Sequence, residues 1–119
     1  PRCIYSVPEA ASVGLTEDEA KRAGMDVKVG SFSFNGLGKA RIEGEAAGFI
    51  KLVSDAKTDD LVGVHIVGPK ATELISEGGL ALVLNATAWE VGQLVHPHPA
   101  LSEAFGEAAL AVDGLAVHA

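Results

Sequence analysis

Two runs in this chain, Phe49 to Ser54 and Leu61 to Val67, alternate apolar and polar residues, and only the polar segment Asp55-Ala56-Lys57-Thr58-Asp59-Asp60 separates them. Successive side chains on a strand point to opposite faces, so a period of two means a half-buried strand. A polar link of that length and type joins antiparallel neighbours. The pattern predicts a hairpin, and with it a sheet that needs something packed on one face.

The remaining segments supply both the sheet and its cover. Cys3 to Val7, stopped by Pro8, and Ala11 to Leu15 read together as a strand and a connector. Val27 to Phe34 alternates again, but its apolar row slips from Val27 and Val29 to Phe32 and Phe34, which predicts a bulge near Gly30. Asn35 to Gly48 is glycine-rich and of mixed charge, and reads as an irregular loop with room for one helical turn.

Helix signals are stronger. Thr16 with Glu19, and Thr87 with Glu90, have the Thr-x-x-Glu spacing in which hydroxyl and carboxylate satisfy each other's exposed amides. The first predicts a helix of about two turns ended by Gly24. The second predicts a short helix carrying Trp89, Val91 and Leu94. After Gly68-Pro69, residues Leu74, Ile75, Gly78 and Leu82 share one face, while Leu80, Ala81, Val83 and Leu84 cover the others. Apolar all round, the second half of that helix should be covered on both sides, by its own sheet and by something else. Gly78-Gly79 weakens it by roughly 1 kcal/mol per glycine relative to alanine, which predicts a close helix approach as compensation. Leu101, Ala104, Phe105, Ala108, Val112 and Leu115 form a last apolar stripe, opposed by Glu103, Glu107 and Asp113. Strands first and helices last predict one α+β domain over residues 1–119, an antiparallel sheet covered on one face by helices.

Charge and composition exclude several functions. Sixteen acidic against nine basic residues give a formal charge of −7 with no cluster of Lys and Arg, so no basic face exists to neutralise nucleic-acid phosphates. The longest apolar run, Gly78 to Ala88, is interrupted by Asn85 and too short to span a bilayer. The one cysteine, Cys3, can form no intrachain disulfide and fits a reducing, cytoplasmic compartment. Pro-Arg-Cys-Ile-Tyr opens the chain without methionine or signal peptide and leads straight into a strand, so the chain reads as cut from something longer.

Chemistry concentrates in His96-Pro97-His98-Pro99-Ala100-Leu101-Ser102-Glu103. Two imidazoles able to titrate near neutral pH lie in a backbone stiffened twice by proline, with a glutamate five positions after the second. If a helix starts near 101, His98 can fold back onto Glu103. The carboxylate would then fix the tautomer and leave the other ring nitrogen to exchange a proton. Spacing alone leaves a second reading open, in which Glu103 favours the helix N-terminus and the histidines are loop residues. His96 has no acidic residue at the matching offset. Histidines at i and i+2 with no further clustered ligands make no metal site. His65 reads as a cross-strand residue, and Gly36-Leu37-Gly38 lacks the third glycine of a dinucleotide turn.

The segment His96-x-His98-Pro99-x-x-Ser102-Glu103-Ala104 resembles the C-terminal signature of the dihydrolipoamide dehydrogenases, in the flavin-dependent pyridine nucleotide-disulfide reductase family. Tyr5 to Glu17, Gly48-Phe49-Ile50-Lys51-Leu52-Val53 and Gly63-Val64-His65-Ile66-Val67-Gly68 look like successive landmarks of that family's interface domain, so the likeness covers essentially the whole chain. The resemblance implies the disulfide reductase dimerisation-domain fold, a homodimer, and a cis His98-Pro99 bond. It implies that His98 takes a proton from a thiol of dihydrolipoamide, oriented by Glu103, at a site completed by the other subunit. It implies FAD and NAD in the full-length enzyme, none bound to this domain alone, and a 2-oxo acid dehydrogenase complex as partner. The flavin domain, the nicotinamide domain and the Cys-x-x-x-x-Cys pair are absent from this chain, so the isolated domain is expected to be inactive. Mercuric and many thioredoxin reductases carry a C-terminal redox pair that is missing here, and glutathione reductases generally lack the first histidine; lipoamide is favoured. Many relatives have Thr where Ala100 stands, so a capping hydroxyl is lost, at about 1 kcal/mol. Two alternatives remain: a purely structural self-association domain, or the same domain of another disulfide reductase.

Overall fold

The computed structural model describes residues 1–118. A five-stranded antiparallel sheet is built from β1 (Arg2–Ile4), β2 (Glu9–Gly14), β3 (Val27–Ser33), β4 (Phe49–Asp55) and β5 (Leu61–Gly68), in the order β1-β2-β5-β4-β3. The helices are α1 (Glu17–Arg22), α2 (Gly38–Glu43), α3 (Ala71–Val83), α4 (Ala88–Gln93) and α5 (Glu103–Ala111). The α+β architecture and the β4-β5 hairpin are as expected. The opening fifteen residues, however, make two paired strands, because Ala10 and Ala11 pair with both β1 and β5.

Register explains where the core lies. Ala11, Ile66, Ile50 and Phe32 are paired in one row across the sheet, and Val13, Val64, Leu52 and Gly30 in the next. Paired residues share a face, and these meet α3 and α5. Gly78 of α3 faces Val64, and Gly30 of β3 faces Ala108 and Val112. Phe32, Phe34, Phe105, Ile50, Leu52, Ile66 and Val64 are fully buried there, each contributing about 1.5–3 kcal/mol of apolar burial.

The opposite face carries Ser12, His65, Lys51 and Ser31 in one row. There α1, which packs on β3, bonds Lys51 Nζ through Glu17 Oε1 at 3.0 Å, and His65 Nε2 meets the Leu15 carbonyl at 2.9 Å. His65 is thus the cross-strand structural residue that its position suggested.

Both capping boxes form: Thr16 with Glu19 at α1, and Thr87 with Glu90 at α4. The start of α4 is also pinned to the hairpin link, with Ala88 N–H donating to Asp59 O at 3.1 Å and Ser54 Oγ–H to the same oxygen at 3.0 Å.

Three local expectations are corrected. No bulge occurs at Gly30, where pairing with β4 runs unbroken; the register shift lies at Val53/Ser54 of β4. The apparent slip arises because Gly30 holds an inward position that α5 fills, while Val27 and Val29 point to the other face. The loop after β3 is more ordered than its glycines suggested, with a 3₁₀ turn at Phe34–Gly36 followed by α2, whose Ala40 is buried. The close approach at Gly78 is to the sheet and not to another helix: a β-carbon there would lie 3.1 Å from Val64, whereas at Gly79 it would meet nothing within 4 Å.

Candidate active site

The loop between α4 and α5, residues 94–102, carries the two histidines. Glu103 opens α5, and its carboxylate accepts the Ala100 N–H at 2.9 Å. This is the carboxylate half of a capping box. The hydroxyl half is absent with alanine at position 100, and Ser102, at the N-cap, makes no side-chain cap bond. Both Glu103 oxygens lie 3.1 Å from His98 Nδ1. An Nδ1–H donating to that carboxylate leaves Nε2 as the free acceptor, and the side chain is 80% exposed. The His98-Pro99 peptide is cis, in line with the resemblance. Partial burial pushes the Glu103 carboxyl up, but the Ala100 N–H and His98 together outweigh it and hold the group below its ordinary value. It stays an anion and so fixes the imidazole tautomer.

His96 has a partner that its neighbourhood in the chain did not reveal. Its Nε2 lies 2.7 Å from Glu77 Oε1 on α3, nineteen residues upstream, and its side chain is only 8% exposed. The hydrogen bond that Nε2–H donates to Glu77 raises its pKa above the ordinary 6.5, against burial. A third pair joins His118 Nδ1 to Glu107 Oε1 at 3.0 Å, and Glu107 Oε2 accepts the N–H groups of Val117 and His118 at 2.7 and 3.0 Å. Glu107, expected on the solvent face of the closing helix, is therefore buried, because the chain end folds back over it. Burial raises the Glu107 carboxyl, yet these bonds outweigh that and hold it below the usual range. Offsets of nineteen and eleven residues correspond to no helical or strand spacing, so neither pair was legible in sequence.

Three His–Glu pairs thus surround the N-terminal half of α5, and Leu94, His96, Glu103, Gly106 and Glu107 line a shallow cleft there. Of the three rings, those of His98 (80% exposed) and His118 (62%) are open to solvent, and that of His96 (8%) is not. Among the described residues no buried side-chain nitrogen or oxygen lacks a partner, and no helix is long and apolar enough to cross a membrane.

Gly36-Leu37-Gly38 does not fit a dinucleotide. It runs from the 3₁₀ turn into α2, Leu37 is buried, and a β-carbon on Gly36 would come 3.0 Å from the Phe32 ring. The backbone there is shaped by packing and offers no phosphate cradle after a strand.

The pyridine nucleotide-disulphide oxidoreductase dimerisation-domain profile matches residues 1–109. The chain belongs to this family. The dimerisation domain is 65% identical over 118 residues to a dihydrolipoyl dehydrogenase of Bacillus subtilis and 52% identical to one of Thermus scotoductus, each alignment covering 99% of the chain. It spans only 25% and 26% of the length of those two relatives. Among solved structures it is similar to LpdA of Mycobacterium tuberculosis, with a TM-score of 0.85, 25% identity and coverage of 91% of this chain and 24% of that one. The flavoprotein disulfide reductase RclA of Escherichia coli shares the fold at a TM-score of 0.86 and 21% identity, over 91% of this domain and 25% of that chain. The dimerisation domain is thus part of an oxidoreductase family, and self-association is the property for which the family is described.

Proposed function

We propose that this chain is the interface domain of a dihydrolipoamide dehydrogenase, in which His98 is the acid–base residue and Glu103 its orienting carboxylate. One observation carries the reading: His98 Nδ1 is held by both oxygens of a carboxylate that is itself fixed by the Ala100 N–H, while the rest of the ring faces outward.

The chemistry follows from that geometry. Nε2 takes the proton of one thiol of dihydrolipoamide, and the imidazolium formed is stabilised by the Glu103 carboxylate. The thiolate attacks one sulfur of an enzyme disulfide, forming a mixed disulfide and expelling the other sulfur as a thiolate. The second substrate thiol passes its proton to the enzyme thiolate already expelled, and its sulfur then displaces the first enzyme sulfur and closes the lipoyl disulfide. Two electrons pass to the enzyme dithiol. FAD, NAD as acceptor and the disulfide are assigned to the rest of the enzyme, and His98 to a site completed across a homodimer boundary.

The partner would be the lipoyl group of a 2-oxo acid dehydrogenase complex, in the cytoplasm, where Cys3, which is free, stays reduced. The domain alone would be inactive, since it holds the base and not the disulfide. A neutral His98 is needed for the first step and an anionic Glu103 throughout.

The test is His98→Gln in the full-length enzyme. Turnover of dihydrolipoamide should fall by about 10²–10⁴-fold, the usual contribution of a positioned acid or base, while flavin content stays at the wild-type level. Wild-type turnover would sink the assignment.

A second reading, self-association alone, draws on Leu80, Val83 and Leu84 at the end of α3 and on Trp89, Leu94 and Val95 beyond it, all exposed. An apolar set of this kind marks a contact surface. The two readings are compatible, and loss of dimer without loss of dithiol chemistry in a variant of these residues would separate them.

A further inference from the structure

His98 sits on a segment with no helix or strand of its own, and Glu103 orients its ring at Nδ1 alone, so the backbone that carries it needs a further anchor. Leu94 and Val95, just before it, are exposed and anchor nothing. Downstream, Leu101 is buried in the core and Ala100 bonds Glu103; upstream of His98 the loop is fastened by His96, two residues earlier. Its ring is nearly buried, its Nε2 lies 2.7 Å from Glu77 Oε1 on α3, and it rests on Gly106 of α5. A β-carbon at Gly106 would come 2.9 Å from His96 Nδ1 and 3.0 Å from Cε1, so a glycine is what allows the ring to seat there. Gly106 lies three residues after Glu103, on the adjacent turn of the same helix.

We infer that His96 is a positioning residue, a clamp between Glu77 on α3 and Gly106 on α5 that sets the His98 ring against Glu103. This rests on the assignment of His98 as the base. His96 is itself unsuited to proton exchange with a substrate. Glu77 occupies Nε2, and the Nδ1–Cε1 edge of the ring rests against Gly106. With its side chain only 8% exposed, it offers a thiol little access. The clamp also ties the loop to α3, whose C-terminal end carries the exposed apolar residues Leu80 and Val83.

Glu77→Ala, His96→Ala, His96→Gln and Gly106→Ala in the full-length enzyme test the clamp, with His98→Gln alongside. Two activities are read: turnover of dihydrolipoamide, and NADH oxidation by an artificial electron acceptor, which needs no thiol deprotonation. Glu77→Ala, His96→Ala and Gly106→Ala should lower kcat for the dithiol by about 10–100-fold, the scale of an ångström-sized misplacement, with KM for the dithiol and the artificial-acceptor activity held. His96→Gln, which retains a donor for Glu77, should recover most of that loss. Unchanged dithiol turnover in Glu77→Ala and His96→Ala, with His98→Gln impaired, overturns the clamp and leaves the base assignment standing. Full activity in His98→Gln overturns the base assignment. Parallel loss of both activities in the alanine variants, unrelieved by His96→Gln, makes the pair a general structural element and equally overturns the clamp.

Discussion

Gly30 of β3 lies so close under Ala108 of α5 that a β-carbon on Gly30 would fall 2.2 Å from the Ala108 carbonyl oxygen and 2.5 Å from the Val112 nitrogen. Both obstacles are backbone, which cannot rotate away. Gly30→Ala should therefore push α5 off the sheet and destabilise the chain by about 1–3 kcal/mol, as overpacking does. A urea titration measures it. Gly79→Ala, where a β-carbon meets nothing within 4 Å, should instead raise stability by up to roughly 1 kcal/mol through helix propensity.

Thr87→Ala removes the hydroxyl half of the capping box at α4, whose first residues are also tied to the hairpin link. The expected cost is about 1 kcal/mol, read as a lower midpoint in the same titration with an unchanged slope.

Much of this molecule was open to sequence reading because its interactions are local. The capping boxes, the β4-β5 hairpin and the His98–Glu103 pair all involve residues within one or two turns or a short link of each other. The bulge predicted at Gly30 failed for the opposite reason. The pattern of Val27, Val29, Phe32 and Phe34 records two faces of one strand, and only the position of α5, about eighty residues on, shows why the inward site between them is a glycine. Glu77–His96 and Glu107–His118 escaped for the same reason. Each depends on how α3, α5 and the chain end pack, and no spacing rule reaches that far.

Titration should separate the histidines from the glutamates. Glu103 and Glu107 are held below the ordinary carboxylate value, so their contribution to stability is full above about pH 4.3 and is lost as pH falls through the lower folded values. Thermal melts should show Glu107→Gln flattening part of that acid decline. His96 has the opposite sign. With its pKa raised by Glu77, its contribution is full below the ordinary 6.5 and is lost as pH rises through the higher folded value. NMR of the ring should place the His96 midpoint above 6.5 in the wild type and bring it down in Glu77→Gln.

Val83 is 77% exposed on the last turn of α3, beside exposed Leu80 and Leu84. Val83→Glu combined with Leu80→Glu should shift the full-length enzyme toward monomer in sedimentation velocity. An unchanged dimer would place the contact surface elsewhere on the domain.

Whether His98 is the base that prepares the substrate thiol is decided by the reductive half-reaction. Oxidised full-length enzyme, wild type and His98→Gln, is mixed rapidly with dihydrolipoamide in the absence of nucleotide, and the flavin spectrum is followed. Reduction should be slowed by about 10²–10⁴-fold in His98→Gln, with the starting flavin spectrum intact and the deficit shrinking as pH rises and the substrate thiol ionises unaided. Reduction at the wild-type rate across that pH range would contradict that role.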